Sequence, residues 1–141
     1  MTGKRPMPAR VFLDTNVLIY ALAENDPRNA RAEELLAAGG IISVQVLNEF
    51  TSVARKKLSM SWEEIREAIE AFLVLCSEPL PITMETHEAA REIAEMHSYG
   101  IYDGLVLAAA LDAGCSILYS EDLQDGQRVG GQLTIRNPFA P

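Results

Sequence analysis

Short, mainly apolar runs alternate with longer segments of helical apolar spacing, and this alternation restricts the folds that the chain can adopt. The short runs lie at 11–14, 40–43, 80–82, 116–119 and 133–136. Their length and composition are typical of buried strands. Parallel neighbouring strands need crossover connections, and the intervening helical segments provide them. The sequence therefore predicts an α/β fold with a mostly parallel central sheet.

Residue types that favour helix ends divide the rest of the chain into helices. Ser61 and Glu64 have the spacing of a capping box, and glycines follow three of the helical segments, at Gly39-Gly40, Gly100 and Gly114. The first predicted helix is 16–23, and the second has Asp26 as N-cap and Pro27 as first residue and ends at Gly39-Gly40. The remaining predicted helices are 44–58 after Ser43, 61–75, 83–97, and 102–113 before Gly114. Residues 1–9 show no such pattern, so we expect a flexible lead followed by one domain at 10–141.

Composition and chain length favour one globular domain. The chain has 141 residues, of which 48% are hydrophobic and 23% charged. No apolar run approaches the roughly 18 residues of a transmembrane helix, and the first residues lack the apolar stretch of a signal peptide. We therefore expect a cytoplasmic protein that does not insert into membranes. Cys76 and Cys115 lack CxxC spacing and lie in apolar stretches, which favours buried, reduced thiols.

Carboxylates occur where the functional crevice of a parallel sheet is expected, outside the carboxyl ends of the strands. Asp14 ends the first predicted strand, Glu49 lies on the helix after the second, Asp103 begins a late helix, and Asp122 follows the fourth strand. Oxygen ligands of this kind suit Mg²⁺ or Mn²⁺, and such ions support hydrolysis of phosphate esters. A net charge of −8 argues against a broad positive surface for nucleic acid. Bound cations would locally reverse the sign that a phosphate meets.

Four segments together carry a family resemblance. They are FLDTNVLIY at 12–20, the Asn48-Glu49 pair, YDGLVLAAAL at 102–111 and LYSEDL at 118–123. With these segments the chain resembles a PIN domain, in particular the toxin nucleases called VapC, over essentially the whole domain. The resemblance implies a three-layer α/β/α sandwich, RNA cleavage that depends on Mg²⁺ or Mn²⁺, and a small antitoxin protein as partner. The resulting hypothesis is an endoribonuclease toxin, as a homodimer, whose acidic site the antitoxin covers or disrupts.

The resemblance also implies site residues. Asp14 matches the aspartate of the family's DTN motif, Glu49 the glutamate of the second motif and Asp103 the aspartate of the third, and all three become candidate catalytic and metal-binding residues. Asp122 is the candidate for the fourth acid, with Glu121 and Asp125 as open alternatives. Asn16 and Ser120 are candidates for supporting roles beside these acids, as is Glu121.

Basic residues near the predicted acids are candidates for substrate binding. Arg55, Lys56 and Lys57 lie one to two turns beyond Glu49 on the same predicted helix, and Lys56, at i+7, returns to the face of Glu49. They are candidates for binding RNA phosphate, although positive charge is also favoured at any helix C-terminus. His87 and His97 lie away from the acid motifs, which favours surface or packing roles.

Two other functional classes fit the sequence less well. A phosphohydrolase for small phosphate esters would need an aspartate nucleophile with DxD-like spacing, but Thr15 and Asn16 follow Asp14. A non-catalytic module that only binds RNA or a protein is the main alternative, and the intact set of acids favours the enzyme over it. Neither GxGxxG nor GxxxxGK[ST] occurs, which argues against enzymes with nucleotide cofactors.

Overall fold

The computed structural model describes residues 10–140, in which one strand is followed by six helices and then by three strands, so the strict alternation predicted from the sequence is not found. The predicted flexible lead at 1–9 lies outside the described residues. The strands are β1 (Val11–Leu13), β2 (Ile117–Tyr119), β3 (Arg128–Val129) and β4 (Leu133–Arg136). The helices are α1 (Thr15–Leu22), α2 (Asn29–Ala37), α3 (Val44–Lys56), α4 (Trp62–Leu75), α5 (Met84–His97) and α6 (Ile101–Asp112). None of the helices in this part of the chain is both long and apolar enough to cross a membrane.

The sheet is mostly parallel, which confirms the predicted fold class. Its strand order is β1-β2-β4-β3, with β1 and β4 parallel to the central β2 and β3 antiparallel to β4. The register places Phe12 opposite Leu118 and Leu118 opposite Ile135. All three side chains are fully buried, because helices flank the sheet in an α/β/α sandwich. The carboxyl ends of the parallel strands therefore meet at one edge of the sheet.

Two predicted strands, at 40–43 and 80–82, are single parallel bridges instead. Ile41 bridges to Phe12 and Leu80 to Ser43, so these segments only continue the sheet beyond β1. Ser43 is already the N-cap of α3, which ends the first segment early. Pro79 and Pro81 flank Leu80, and neither proline can donate the backbone hydrogen bond that a ladder requires. Conversely, β3 was not predicted, because its two residues lie beside the glycine-rich turn at 130–131.

The predicted helix ends are largely confirmed. Ser61 and Glu64 make both hydrogen bonds of the capping box, and Thr83 caps α5. The start of α2 was predicted wrongly, since the helix begins at Asn29 and not after Asp26. The Asp26 carboxylate accepts a hydrogen bond from the Arg28 backbone N–H at 2.8 Å, which stabilises a turn before the helix. The helix predicted to reach residue 58 ends at Lys56.

The core lies between the sheet and the helices on either side of it. Phe50 of α3 and Phe72 of α4 pack edge to face, with ring centroids 5.1 Å apart. Residues 104–110 of α6 are buried without interruption. Cys76 and Cys115 are buried free thiols, as predicted. Because residues 104–110 are enclosed by their neighbours, the buried part of α6 fixes the position of the first turn, which carries Asp103.

Candidate active site

The carboxylate of Asp14 is fixed at the carboxyl end of β1, where the chain turns into α1. The Asp14 backbone N–H donates to the Tyr119 carbonyl at 3.0 Å, which joins this turn to the end of β2. Asp14 Oδ1 accepts from the Thr15 backbone N–H at 2.7 Å, and Oδ2 accepts from Ser120 Oγ at 2.7 Å. The residue is only 6% exposed. Burial raises the pKa of Asp14 to about 6, although the hydrogen bonds from Ser120 and Thr15 act in the opposite direction.

Glu49 reaches the same place from the middle of α3. Its Oε2 accepts a hydrogen bond from Thr15 Oγ1 at 3.0 Å, so Thr15 lies between the first and second acids. Partial burial raises the pKa of Glu49, hydrogen bonds from Thr15 and Gln45 lower it, and the charges of Asp103 and Asp122 raise it further. The carboxylate of Glu49 is therefore close enough to Asp103 and Asp122 for their charges to act on it.

Asp103 and Asp122 close the group from the other side. Asp103 lies in the first turn of α6. Its pKa is raised mainly by burial and to a smaller extent by repulsion from Asp122. Asp122 lies in the loop after β2, where Asn16 Nδ2 donates to its Oδ2 at 3.4 Å. The hydroxyl of Ser120, which is fully buried, accepts the Asp122 backbone N–H at 3.2 Å while donating to Asp14. Ser120 thus connects the first acid with the loop of the last.

These side chains line one crevice of about 250 Å³ at the carboxyl edge of the sheet. Its walls are Asp14, Thr15, Glu49, Ser52, Val53, Asp103 and Asp122. Among the described residues, no lysine or arginine lines this crevice. The four acids proposed from the sequence are therefore brought together without a basic side chain to balance them.

The donor set fits a divalent cation of the hard, oxygen-binding type. Carboxylates supply the negative oxygens that such a cation prefers. Burial and mutual repulsion raise the pKa of Asp14, Glu49 and Asp103, and a bound cation would offset both effects by stabilising the ionised carboxylates. Within residues 10–140, no three Asp, Glu, His or Cys side chains already converge closely enough to chelate one ion. Hydrogen bonds from Thr15, Asn16 and Ser120 hold three of the carboxylates instead.

The sequence of the chain matches one known family. The family model of the PIN domain matches residues 11–129, which include all four acids of the crevice. The chain belongs to the PIN-domain family. The match confirms the resemblance inferred from the sequence motifs. No protein of curated function matches the chain in sequence.

Solved structures share the fold of this PIN domain. VapC20 of Mycobacterium tuberculosis, described as a toxin that cleaves the sarcin-ricin loop, aligns with a TM-score of 0.64 at 22% identity over 79% of this chain and 89% of its own. The DNA-bound VapBC complex of Salmonella typhimurium aligns with a TM-score of 0.67 at 22% identity, covering 93% and 99% of the two chains. A toxin-antitoxin complex of Klebsiella pneumoniae gives a TM-score of 0.68 at 19% identity, covering 92% and 98%. At these identities the likeness establishes the fold.

The structure separates the three candidates for the fourth acid of the PIN domain. The carboxylate of Glu121 accepts hydrogen bonds from Tyr20 Oη and, at 3.1 Å, from Arg28 Nη1. Asp125 accepts the Asn137 backbone N–H at 2.8 Å. Neither of these two lines the crevice, whereas Asp122 does. Glu121 still supports the site through its backbone N–H, which donates to Asn16 Oδ1 at 3.2 Å.

An ion-pair network braces the loop that carries Asp122. Arg28 pairs with Asp26 at 2.8 Å and with Glu121 at 3.1 Å, and its guanidinium lies 3.8 Å from the centre of the Tyr20 ring. Burial, together with the hydrogen bond to Glu121, raises the pKa of Tyr20 to about 12. This network joins the α1–α2 turn to the end of β2.

Two of the three basic candidates, Arg55 and Lys56, occupy different faces of α3, and the third, Lys57, is the C-cap of that helix. Arg55 Nη1 donates to the Met60 carbonyl at 3.0 Å, and the guanidinium lies 4.7 Å from the centre of the Trp62 ring. Arg55 is therefore engaged away from the crevice. Lys56 lines a second hollow that adjoins the crevice at Glu49 and Ser52.

Three residues at the site, Thr15, Gln45 and Ser52, were not predicted from the sequence. Thr15 and Ser52 line the crevice, and Gln45 contributes a hydrogen bond to Glu49. Gln45 and Ser52 lie four residues before and three after Glu49, so helical geometry places them on its face of α3. That spacing was the available signal. Thr15 stands inside the DTN motif, but nothing in the motif shows that its hydroxyl points at Glu49.

Proposed function

We propose that this PIN-domain protein is an endoribonuclease that hydrolyses RNA phosphodiester bonds with the aid of Mg²⁺ or Mn²⁺. The observation that carries the proposal is the crevice itself. Asp14, Glu49, Asp103 and Asp122 come from four distant segments and line one space without a basic side chain among the described residues. A structural role would not require repelling acids to be gathered in this way, because each of them is more stable when solvated or paired.

The four acids are the proposed metal ligands and catalytic residues. When bound, a divalent ion polarises the phosphate and increases the acidity of an attacking water. Asp14 provides the most rigid carboxylate, since Ser120 and Thr15 hold its two oxygens. Thr15 orients Glu49, and Asn16 orients Asp122. Hydrolysis adds water across one P–O bond of the backbone, so no side-chain nucleophile is needed.

The solved neighbours support a more specific biological role. VapC20 is described as a toxin that cleaves the sarcin-ricin loop, the Salmonella structure is a VapBC complex, and the Klebsiella structure is a toxin-antitoxin complex. We infer that this chain is likewise the toxin of a VapBC-type pair, with RNA as substrate and a small antitoxin protein as inhibitor. The proposal includes a homodimer acting in the cytoplasm, and light scattering of the purified protein would measure the oligomeric state.

RNA cleavage by the purified protein tests the proposed reaction. The wild-type protein is incubated with a panel of structured RNAs in Mg²⁺, in Mn²⁺ and in EDTA, beside the variants Asp14→Asn and Asp103→Asn. We expect cleavage with a metal ion only, and a loss of at least about 100-fold in each variant, because each removes a charged ligand. Asp112→Asn is the matched control, since Asp112 lies at the exposed end of the same helix as Asp103.

The alternative outcomes separate the competing functions. Cleavage that persists in EDTA, or that Asp103→Asn leaves unchanged, would contradict the proposed metal site. RNA or antitoxin binding without cleavage of any RNA in the panel would favour the non-catalytic PIN-like module. Circular dichroism of each variant shows whether a loss of activity comes from unfolding.

A further inference from the structure

A second hollow, of about 480 Å³, opens beside the acidic crevice. Its walls are Gln45, Asn48, Glu49, Ser52, Lys56 and Tyr102. Glu49 and Ser52 belong to both spaces, so the hollow continues directly from the place where the proposed reaction occurs. A polymer whose scissile phosphate lay in the crevice would extend into this hollow with a neighbouring nucleotide.

One face of α3 forms most of the hollow. Gln45, Glu49, Ser52 and Lys56 follow each other at steps of four, three and four residues, which places them in one stripe along the helix. The chemistry of the stripe changes along its length, from the acid Glu49 to the base Lys56. In the described part of the chain, Lys56 takes part in no ion pair. Its charge is therefore available to a phosphate.

Tyr102 lines the hollow from α6 and is the residue before Asp103. The side chain lies in the first turn of α6 and is 63% exposed, although the helix behind it is buried. An exposed aromatic ring beside a cation and a polar amide has the composition of a nucleotide-binding surface. Aromatic faces stack on unpaired bases, and lysine pairs with the adjoining phosphate. Asn48, which is exposed, adds an amide with both a donor and an acceptor for a base edge.

We propose that this hollow binds an unpaired RNA nucleotide next to the scissile phosphate, with its base on Tyr102 and its phosphate on Lys56. The inference rests on the proposed RNA cleavage and adds a substrate subsite to it. It selects unpaired RNA because a base inside a duplex is already stacked and its faces are covered. The subsite needs only one basic residue, Lys56, so it can exist on a chain whose net charge is −8.

Binding and cleavage of a labelled single-stranded RNA test the subsite in the presence of Mn²⁺. We expect Tyr102→Ala to raise the KM for cleavage, or the Kd where no cleavage occurs, by about 5- to 100-fold with little change in kcat. Tyr102→Phe should retain wild-type affinity, since stacking needs only the ring. Lys56→Gln should weaken binding and lower the slope of log affinity against log salt by about 0.7.

Two exposed residues on α4 provide matched controls. Trp62 is an aromatic residue of similar exposure, 61%, that contacts Arg55, and Arg66 is an exposed base. Trp62→Ala and Arg66→Ala should leave KM and Kd unchanged. The same strand annealed to its complement should bind equally to the wild-type protein and to Tyr102→Ala.

The outcomes distinguish this subsite from the reaction itself. Cleavage whose KM is the same in the wild type, Tyr102→Ala and Lys56→Gln would overturn the subsite while leaving the ribonuclease intact. Binding that depends on both residues, without cleavage, would leave the subsite and overturn the ribonuclease. A change in oligomeric state in these variants, with unchanged RNA parameters, would show that a second copy of the chain covers the hollow and would also overturn it.

Discussion

Asp14 is a carboxylate whose environment opposes its own charge. Its two oxygens have hydrogen-bond donors, yet burial still raises its pKa to about 6. The folded state therefore holds this proton more tightly than the unfolded chain, in which an aspartate has a pKa near 3.8. Ionisation of Asp14 costs stability, and a bound cation would recover that cost.

Asp14→Asn should accordingly stabilise the metal-free protein near neutral pH. The shift of Asp14 corresponds to an upper limit of about 3 kcal/mol, so we expect Tm to rise by several degrees at about pH 7.5 in EDTA. The contribution of protonated Asp14 to the stability of the wild-type protein is lost as pH rises from about 4 through about 6, and the difference from Asp14→Asn should vanish below that range. Thermal melts across this pH range measure both quantities.

Addition of Mg²⁺ or Mn²⁺ provides the second arm of this measurement. The ion should raise the Tm of the wild type and not that of Asp14→Asn, because only a ligand that binds the folded state stabilises it. Asp112→Asn, which changes an exposed carboxylate, should follow the wild type throughout. If Asp14→Asn melts below the wild type at every pH, the hydrogen bonds from Ser120 and Thr15 to the Asp14 carboxylate outweigh the cost of burying its charge.

At the scale of residues, the sequence predicts the acids better than their surroundings. Asp14, Glu49 and Asp103 follow from strand ends, helix positions and family motifs. The choice between Glu121 and Asp122 depends on which of two adjacent carboxylates turns inward, and Arg28 and Tyr20, about a hundred residues away in the chain, hold Glu121 outward. The choice between Arg55 and Lys56 is equally difficult to make from the sequence, because adjacent residues of a helix lie on different faces of it.

At the scale of elements, Gly104 allows α6 to approach α5 closely. A Cβ atom at this position would lie 2.5 Å from the Ala90 carbonyl oxygen. The obstacle is backbone within α5, so no side-chain rotation removes it. The glycine beside Asp103 thus has a packing role that is independent of the chemistry of its neighbour.

Gly104→Ala should destabilise the fold by about 1–3 kcal/mol, because the added methyl group forces the two helices apart. It should also lower RNA cleavage, since Asp103 moves with the start of α6. Urea unfolding measures the stability, and Gly100→Ala is the control, because a Cβ there meets nothing within 4 Å. Equal stability of Gly104→Ala and the wild type would mean that α5 and α6 separate at little cost.

The helices were more predictable than the strands for a physical reason. Capping residues and apolar spacing are local, so Ser61, Thr83 and Gly114 mark helix ends in the sequence as they do in the structure. A strand of two or three residues depends on partners elsewhere in the chain. For this reason the apolar runs at 40–43 and 80–82, which form only bridges, resemble strands in the sequence, and the pairing of β3 with β4 has no clear local signal.

At the scale of the whole molecule, the net charge of −8 sets how the protein meets RNA. Long-range electrostatics repel a polyanion from such a chain, and the crevice, which concentrates acids, repels it most. Lys56 is one cation near the site and would provide only one phosphate contact in the proposed subsite. Divalent ions in the crevice are therefore the main source of attraction that the proposed function allows.

RNA affinity should consequently depend on the metal even when no bond is cut. We expect single-stranded RNA to bind at least about tenfold more weakly in EDTA than in Mn²⁺ at equal ionic strength, measured by fluorescence anisotropy. In EDTA, a variant that combines Asp14→Asn and Asp103→Asn should bind RNA at least as well as the wild type, because it removes two repelling charges, and it should gain nothing from Mn²⁺. Tight binding by the wild type in EDTA at physiological salt would place the attraction for RNA on another surface, and the crevice would then serve cleavage without contributing to affinity.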